Sequence, residues 1–203
     1  MSNWIISPDK YLTPDETRRL RKVCEEAALA AKARGIQAPV RARLIIELAT
    51  GTGLRVSELA NLKIEDLYMK KGQNTLIVRN GKGGKDRVVQ FNAKLKDLIL
   101  EYLNYRHSDS PYLFPSKHGE QITASGIQQV FKKWASKAGL PDRYSIHSLR
   151  HTYAVRLYKA SGYNLRLVQK QLGHSSVSTT QVYADVLDAD VDQALENLDL
   201  DDE

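Results

Sequence analysis

The stretch Asn74-Thr75-Leu76-Ile77-Val78-Arg79-Asn80-Gly81-Lys82-Gly83-Gly84-Lys85-Asp86-Arg87-Val88-Val89-Gln90-Phe91 breaks the rhythm of the chain around it. Asn74 to Arg79 and Arg87 to Phe91 are short and rich in β-branched residues. The glycine-rich, basic segment between them reads as the turn of a hairpin. A strand near Leu67 to Met69 would make the sheet three-stranded. After an irregular first dozen residues the rest is mostly of helical spacing, so the fold expected is mainly α with a small antiparallel β-sheet, an α+β arrangement.

Working outward, Thr13-Pro14-Asp15-Glu16 carries a helix start. Thr13 caps, Pro14 suits the first turn, and Glu16 completes a capping box. That helix should bury Leu20, Val23, Ala27 and Ala31 and end at Gly35. A second helix is expected from Val40 to Thr50 with Leu44, Ile45 and Leu48 inside, and a short third one from Val56 to Leu62. After the hairpin, helices are expected over Ala93 to Arg106, Ala124 to Lys137, Ser148 to Ser161 and Leu165 to Leu172. A short helix should hold Tyr183, and an acidic one should run from Asp188 to Leu198 with Leu187, Val191, Ala194, Leu195 and Leu198 at helical spacing. That terminal helix suits packing on its own domain or docking on a neighbouring subunit.

The 203 residues are enough for a core without disulfides or metal. Lys and Arg number 30 against 24 Asp and Glu, a net charge of +6, which hints at a polyanion partner. The lone Cys24 sits on an apolar helix stripe and reads as a small core residue. With no membrane-length apolar run and no signal peptide, a cytoplasmic protein is expected.

Polar residues cluster beside the helix breaks and turns. Arg55 follows Thr52-Gly53-Leu54 at a helix start, where a guanidinium suits a phosphate; it could equally be a surface arginine paired with Glu58. Lys82 lies on the hairpin turn beside the equally basic Lys85 and Arg87. His147 and Arg150 share a helix face, and His151 follows at once. Neither histidine has acidic or cysteine partners at metal-ligand spacing, so no metal is expected. His174 comes just after Gly173, and Tyr183 is one of 10 tyrosines. Taken together, two arginines, a lysine, two histidines and a tyrosine fit phosphodiester chemistry. Cations would neutralise the phosphate, histidines would hold or move protons, and the tyrosine would be the nucleophile.

Order and local sequence together carry a resemblance. Thr52-Gly53-Leu54-Arg55-Val56-Ser57-Glu58-Leu59, Gly81-Lys82-Gly83-Gly84-Lys85-Asp86-Arg87, His147-Ser148-Leu149-Arg150-His151-Thr152, Leu172-Gly173-His174-Ser175-Ser176 and Thr179-Thr180-Gln181-Val182-Tyr183 resemble, in order, the motifs of the tyrosine recombinases, the superfamily of phage integrases and Xer-type enzymes. The resemblance implies a catalytic domain over residues 12–185, preceded by an irregular segment, 1–11, and followed by an acidic helix and tail, 186–203, suited to exchange between subunits. It implies that Arg55 and Arg150 hold the scissile phosphate and that Tyr183 attacks phosphorus to give a 3′-phosphotyrosine. Lys82 would be the general acid on the leaving 5′-hydroxyl, His147 would help take the tyrosine proton, and His174 would hydrogen-bond the phosphate. Glu58 and His151 would be supports. Lys85, Arg87, Gln128, Gln129, Lys132 and Lys133 are candidate contacts to double-stranded DNA, with self-association into a tetrameric synapse and no cofactor. Such enzymes usually carry an N-terminal clamping domain, and only about a dozen residues precede the first helix here, so weaker and more salt-sensitive DNA binding is expected.

Overall fold

The computed structural model describes residues 7–70, 72–79, 84 and 86–173. Within them the order is α1 (Pro14–Lys32), α2 (Gln37–Thr52), α3 (Val56–Asn61), β1 (Leu67–Tyr68), β2 (Thr75–Val78), β3 (Arg87–Gln90), α4 (Ala93–Tyr105), α5 (Ala124–Lys137), α6 (Ile146–Ala160) and α7 (Leu165–Leu172). The strands form one antiparallel sheet in the order β1-β2-β3, with Leu76 opposite Val89 and Val78 opposite Arg87. The mainly α architecture with a small sheet is therefore the one expected. The helices expected to hold Tyr183 and to run from Asp188 lie outside the described residues.

Helix α1 begins as its sequence dictates. The Glu16 amide donates to Thr13 Oγ1 at 3.2 Å, and the Thr13 amide donates to Glu16 Oε2 at 2.8 Å. Glu16 also accepts from the Tyr144 hydroxyl at 2.9 Å, which ties this start to the entry of α6. The buried stripe of α1 is Thr17, Leu20, Cys24, Ala28 and Ala31, whereas Val23 and Ala27 lie at its edge. Leu20, Cys24 and Ala31 are therefore inside as expected, and Ala28 and Thr17 take the places given to Ala27 and Val23. Small Cys and Ala side chains let α1 lie close on α2.

Helix α2 is the centre of the molecule. Leu44, Ile45, Ile46, Leu48 and Ala49 are all buried, so it is enclosed on most sides by its neighbours rather than presenting one apolar face. It begins at Gln37, three residues before the expected start, because Pro39 is tolerated in a first turn whose amides need no intrahelical partner. Helix α6 likewise begins at Ile146, two residues early, with Gln128 Oε1 accepting from the Ile146 amide at 3.0 Å. This places His147 in its first turn. Ala154 and Val155 of α6 form a smaller apolar cluster with Val168 and Leu172 of α7, flanked by Tyr11 and Tyr153.

The segment before α1 is held down. Pro8–Lys10 forms a short 3-10 turn, and the Leu12 amide donates to Thr152 Oγ1 at 2.9 Å on buried α6.

Candidate active site

Two helix ends meet at Arg150. Helix α2 stops at Gly53, whose φ of +64° suits glycine, and α7 stops at Gly173 with φ +66°. Arg150, on the second turn of α6 and only 6% exposed, donates from Nη1 to the Gly53 carbonyl and from Nη2 to the Leu172 carbonyl at 2.9 Å. A cation set on two helix C-termini meets their dipoles favourably and satisfies carbonyls that lack intrahelical partners. Gly53 has no room for a side chain: a Cβ there would stand 2.4 Å from Tyr153 Cδ1 and 2.8 Å from Leu172 Cδ2.

Two residues past Gly53, Arg55 opens α3. Its Nη1 donates to Glu58 Oε1 at 2.7 Å, and its amide donates to Glu58 Oε2 at 2.7 Å. The pairing that would make Arg55 an ordinary arginine is present, but Glu58 also serves a second cation. Arg87, the first residue of β3, donates from Nη1 and Nη2 to Glu58 Oε1 and Oε2, both at 2.8 Å. The Glu58 side chain is 7% exposed, and its carboxyl is held down at about 2. Burial alone would raise that value; hydrogen bonds and charge from Arg87 and Arg55 overcome it.

His147 lies on the solvent side of this group. Desolvation and then the charges of Arg150 and Arg55 push its pKa below the ordinary histidine value, which favours the neutral ring. His151, further in, is pushed down to about 4 by burial, with Arg150, His147 and Lys10 adding to the effect. Burial likewise drives the Tyr153 hydroxyl up to about 12. The described residues thus bring Arg55, Glu58, His147, Arg150 and His151 together. Lys82, Lys85, His174 and Tyr183 lie outside them.

The expected DNA contacts divide. Arg87 is taken up by Glu58, with a side chain 13% exposed, so a basic residue at a hairpin root turns out to be an internal partner. Gln128 is half-buried and caps α6. Lys132 donates to the Asp142 carbonyl, while Gln129 and Lys133 remain exposed on α5. The Arg87 pairing had no local signal in the sequence, since its partner lies 29 residues away. Among the described residues there is no group of three or more His, Cys, Asp or Glu able to hold a metal ion. None of the described helices is long and apolar enough to cross a membrane.

The sequence profile of the phage integrase family matches residues 10–190. Tyrosine recombinase XerA of Pyrococcus furiosus is 39% identical over 194 residues, covering 94% of this chain and 62% of that protein. Tyrosine recombinase XerC of Vibrio vulnificus is 34% identical over 178 residues, covering 86% of this chain and 52% of its own length. A crystal structure of XerA recombinase superimposes with a TM-score of 0.73 at 30% identity, over 92% of this chain and 62% of that one. A XerH site-specific recombinase, solved in a post-cleavage complex with palindromic difH substrate, gives 0.76 at 27% identity, over 91% and 52%. The chain therefore spans less than two thirds of the length of these relatives. A profile match that takes in both arginine motifs, the hairpin and the Tyr183 motif, on a fold shared with XerA, has one reading: this chain belongs to the phage integrase family of tyrosine recombinases.

Proposed function

We propose that the chain is the catalytic part of a site-specific DNA recombinase that cleaves and rejoins strands through Tyr183. The observation that carries this is the convergence of Arg55, at the start of α3, with His147 and Arg150 of α6, among relatives named as tyrosine recombinases. In this reading Arg55 and Arg150 hold the non-bridging oxygens of the scissile phosphate. Fixed cations in a partly dry site stabilise the charge that builds there in the transition state. The Tyr183 oxygen bonds to phosphorus as the bond to the 5′-oxygen breaks. Lys82 gives a proton to that leaving oxygen. His147, neutral and therefore able to accept, takes the tyrosine proton, and His174 bonds the phosphate. A 5′-hydroxyl from another strand reverses the step. The phosphotyrosine conserves the bond energy, so neither ATP nor a metal takes part. Glu58 and His151 are supports.

Double-stranded DNA is the partner in this proposal, in keeping with the XerH complex, whose protein was solved on its DNA substrate. Exchange between two duplexes cuts four strands, so four copies of Tyr183 are needed and a tetrameric synapse follows. Lys85 of the hairpin and Gln129 and Lys133 of α5 are DNA contacts in this reading. Residues 12–185 are the catalytic unit and 186–203 a tail for subunit exchange. The proposed location is the cytoplasm.

The test is a plasmid carrying two copies of a duplex selected by the protein from a random-sequence pool. Recombinant circles support strand exchange. Relaxed circles alone would indicate rotation about a nick, as in a type IB topoisomerase, and binding without either product would indicate a non-catalytic DNA-binding module.

A further inference from the structure

We infer that Arg87 is a positioning residue that leaves Arg55 its positive charge for the DNA phosphate, by taking the Glu58 carboxylate for itself. The inference rests on the proposed phosphate-holding role of Arg55. Two guanidinium groups share one carboxylate here: Glu58 Oε1 accepts from Nη1 of both arginines, and Oε2 accepts from the Arg55 amide and from Arg87 Nη2. The cluster keeps a net charge of one proton. Without Arg87 the buried carboxylate would face Arg55 alone, and the pair would be neutral toward an incoming phosphate.

The geometry favours Arg87 as the permanent partner. Its two parallel bonds to Glu58 are both 2.8 Å, the fork-to-fork pairing in which guanidinium holds carboxylate best. Arg55 offers only one side-chain nitrogen to Glu58, and its side chain is 25% exposed against 13% for Arg87. Arg87 is also held from the other side. A Cβ on Gly173 would stand 2.4 Å from Arg87 Cδ and 2.7 Å from its Nε, so the arginine stem lies on the bare backbone that ends α7. The next residue is His174. One side chain thus joins the root of the hairpin that carries Lys82, the helix that carries Arg55 and the helix end that leads to His174.

The experiment compares wild type, Arg87→Met and Arg87→Met/Glu58→Gln on a nicked duplex selected by the protein from a random pool. Folding of each variant is checked first by thermal melting. Single-turnover cleavage is measured on the natural phosphodiester and on a duplex whose scissile phosphate carries a methyl group in place of one non-bridging oxygen, which has no charge for Arg55 to meet. Arg87→Met should slow cleavage of the phosphodiester by roughly tenfold or more and the neutral linkage far less. Equal slowing of both linkages, or of neither, would overturn the inference, since a general scaffold role does not depend on phosphate charge. Salt dependence of DNA affinity supplies an arm that needs no cleavage. Arg87→Met should lower the slope of log affinity against log salt by about one. Arg87→Met/Glu58→Gln should restore it; a slope that stays low would make Arg87 a direct DNA contact and defeat the inference. If wild type forms no Tyr183-dependent product, the recombinase reading fails on its own, and the salt slopes still decide the role of Arg87.

Discussion

Nη2 of Arg150 donates to the Leu172 carbonyl at 2.9 Å, so the buried arginine of α6 closes the C-terminal end of α7. The same guanidinium reaches the Gly53 carbonyl at the end of α2. Arg150 is therefore a structural clasp as well as a proposed phosphate ligand. Arg150→Met should lower unfolding free energy by about 3 kcal/mol, because two carbonyls lose a charged donor in a dry place. Urea denaturation measures this; a loss under about 1 kcal/mol would mean that the clasp contributes little.

The two glycines at the helix ends can be separated from a third that has the same backbone but an empty surrounding. Gly35, with φ +70°, has nothing within 4 Å of an added Cβ, while Gly173, with φ +66°, has the Arg87 stem. Gly35→Ala should cost about 1 kcal/mol, the strain of a left-handed alanine. Gly173→Ala should cost more, and it should disturb the Arg87–Glu58 pair. Equal losses in the two melts would show that Arg87 moves aside freely.

These ends show how far the sequence could be read. The stop of α7 at Gly173 was legible as a local signal, as were the capping box at Thr13 and Glu16 and the β-branched strands of the hairpin, whereas α2 runs two residues past the expected Thr50, to Thr52. The candidates Arg55, His147 and Arg150 lie in short motifs, and the fold does bring them within electrostatic reach of one another. What was not legible are pairings across the fold. Arg87 looked like a surface basic residue until Glu58 was seen opposite it. Gln128 looked like a groove reader until it was seen capping α6. On α1, Cys24 is the small core residue expected, but Val23 and Ala27 sit at the edge of the stripe while the small Ala28 is fully buried.

His151 should make the protein acid-sensitive. Its folded pKa of about 4 lies below the ordinary histidine value of 6.5, so the unfolded chain binds more protons in between. Stability is then full above that ordinary value and falls as pH drops toward 4. The Glu58 carboxylate, at about 2 when folded, adds its own loss only at lower pH. Melting temperature against pH should fall between pH 6.5 and 4 for wild type and much less for His151→Gln. Parallel curves would assign the acid sensitivity elsewhere.

Thr152 anchors the segment ahead of α1, through the bond from the Leu12 amide to its hydroxyl at 2.9 Å. Thr152→Val keeps the shape but removes the acceptor, at a cost of roughly 1–3 kcal/mol for a buried amide left unpaired. Trypsin cleavage after Lys10 should quicken in native buffer. An unchanged rate would show that other contacts of the segment suffice.

A covalent bond between Tyr183 and DNA is the defining step of the proposed chemistry. The direct measurement is a nicked suicide duplex, selected by binding, incubated with the protein and resolved under denaturing conditions, with the adduct digested and sequenced by mass spectrometry. The expected result is a protein–DNA band whose nucleotide-bearing peptide contains Tyr183, absent from Tyr183→Phe. An adduct on another residue, or one that persists in Tyr183→Phe, would contradict it.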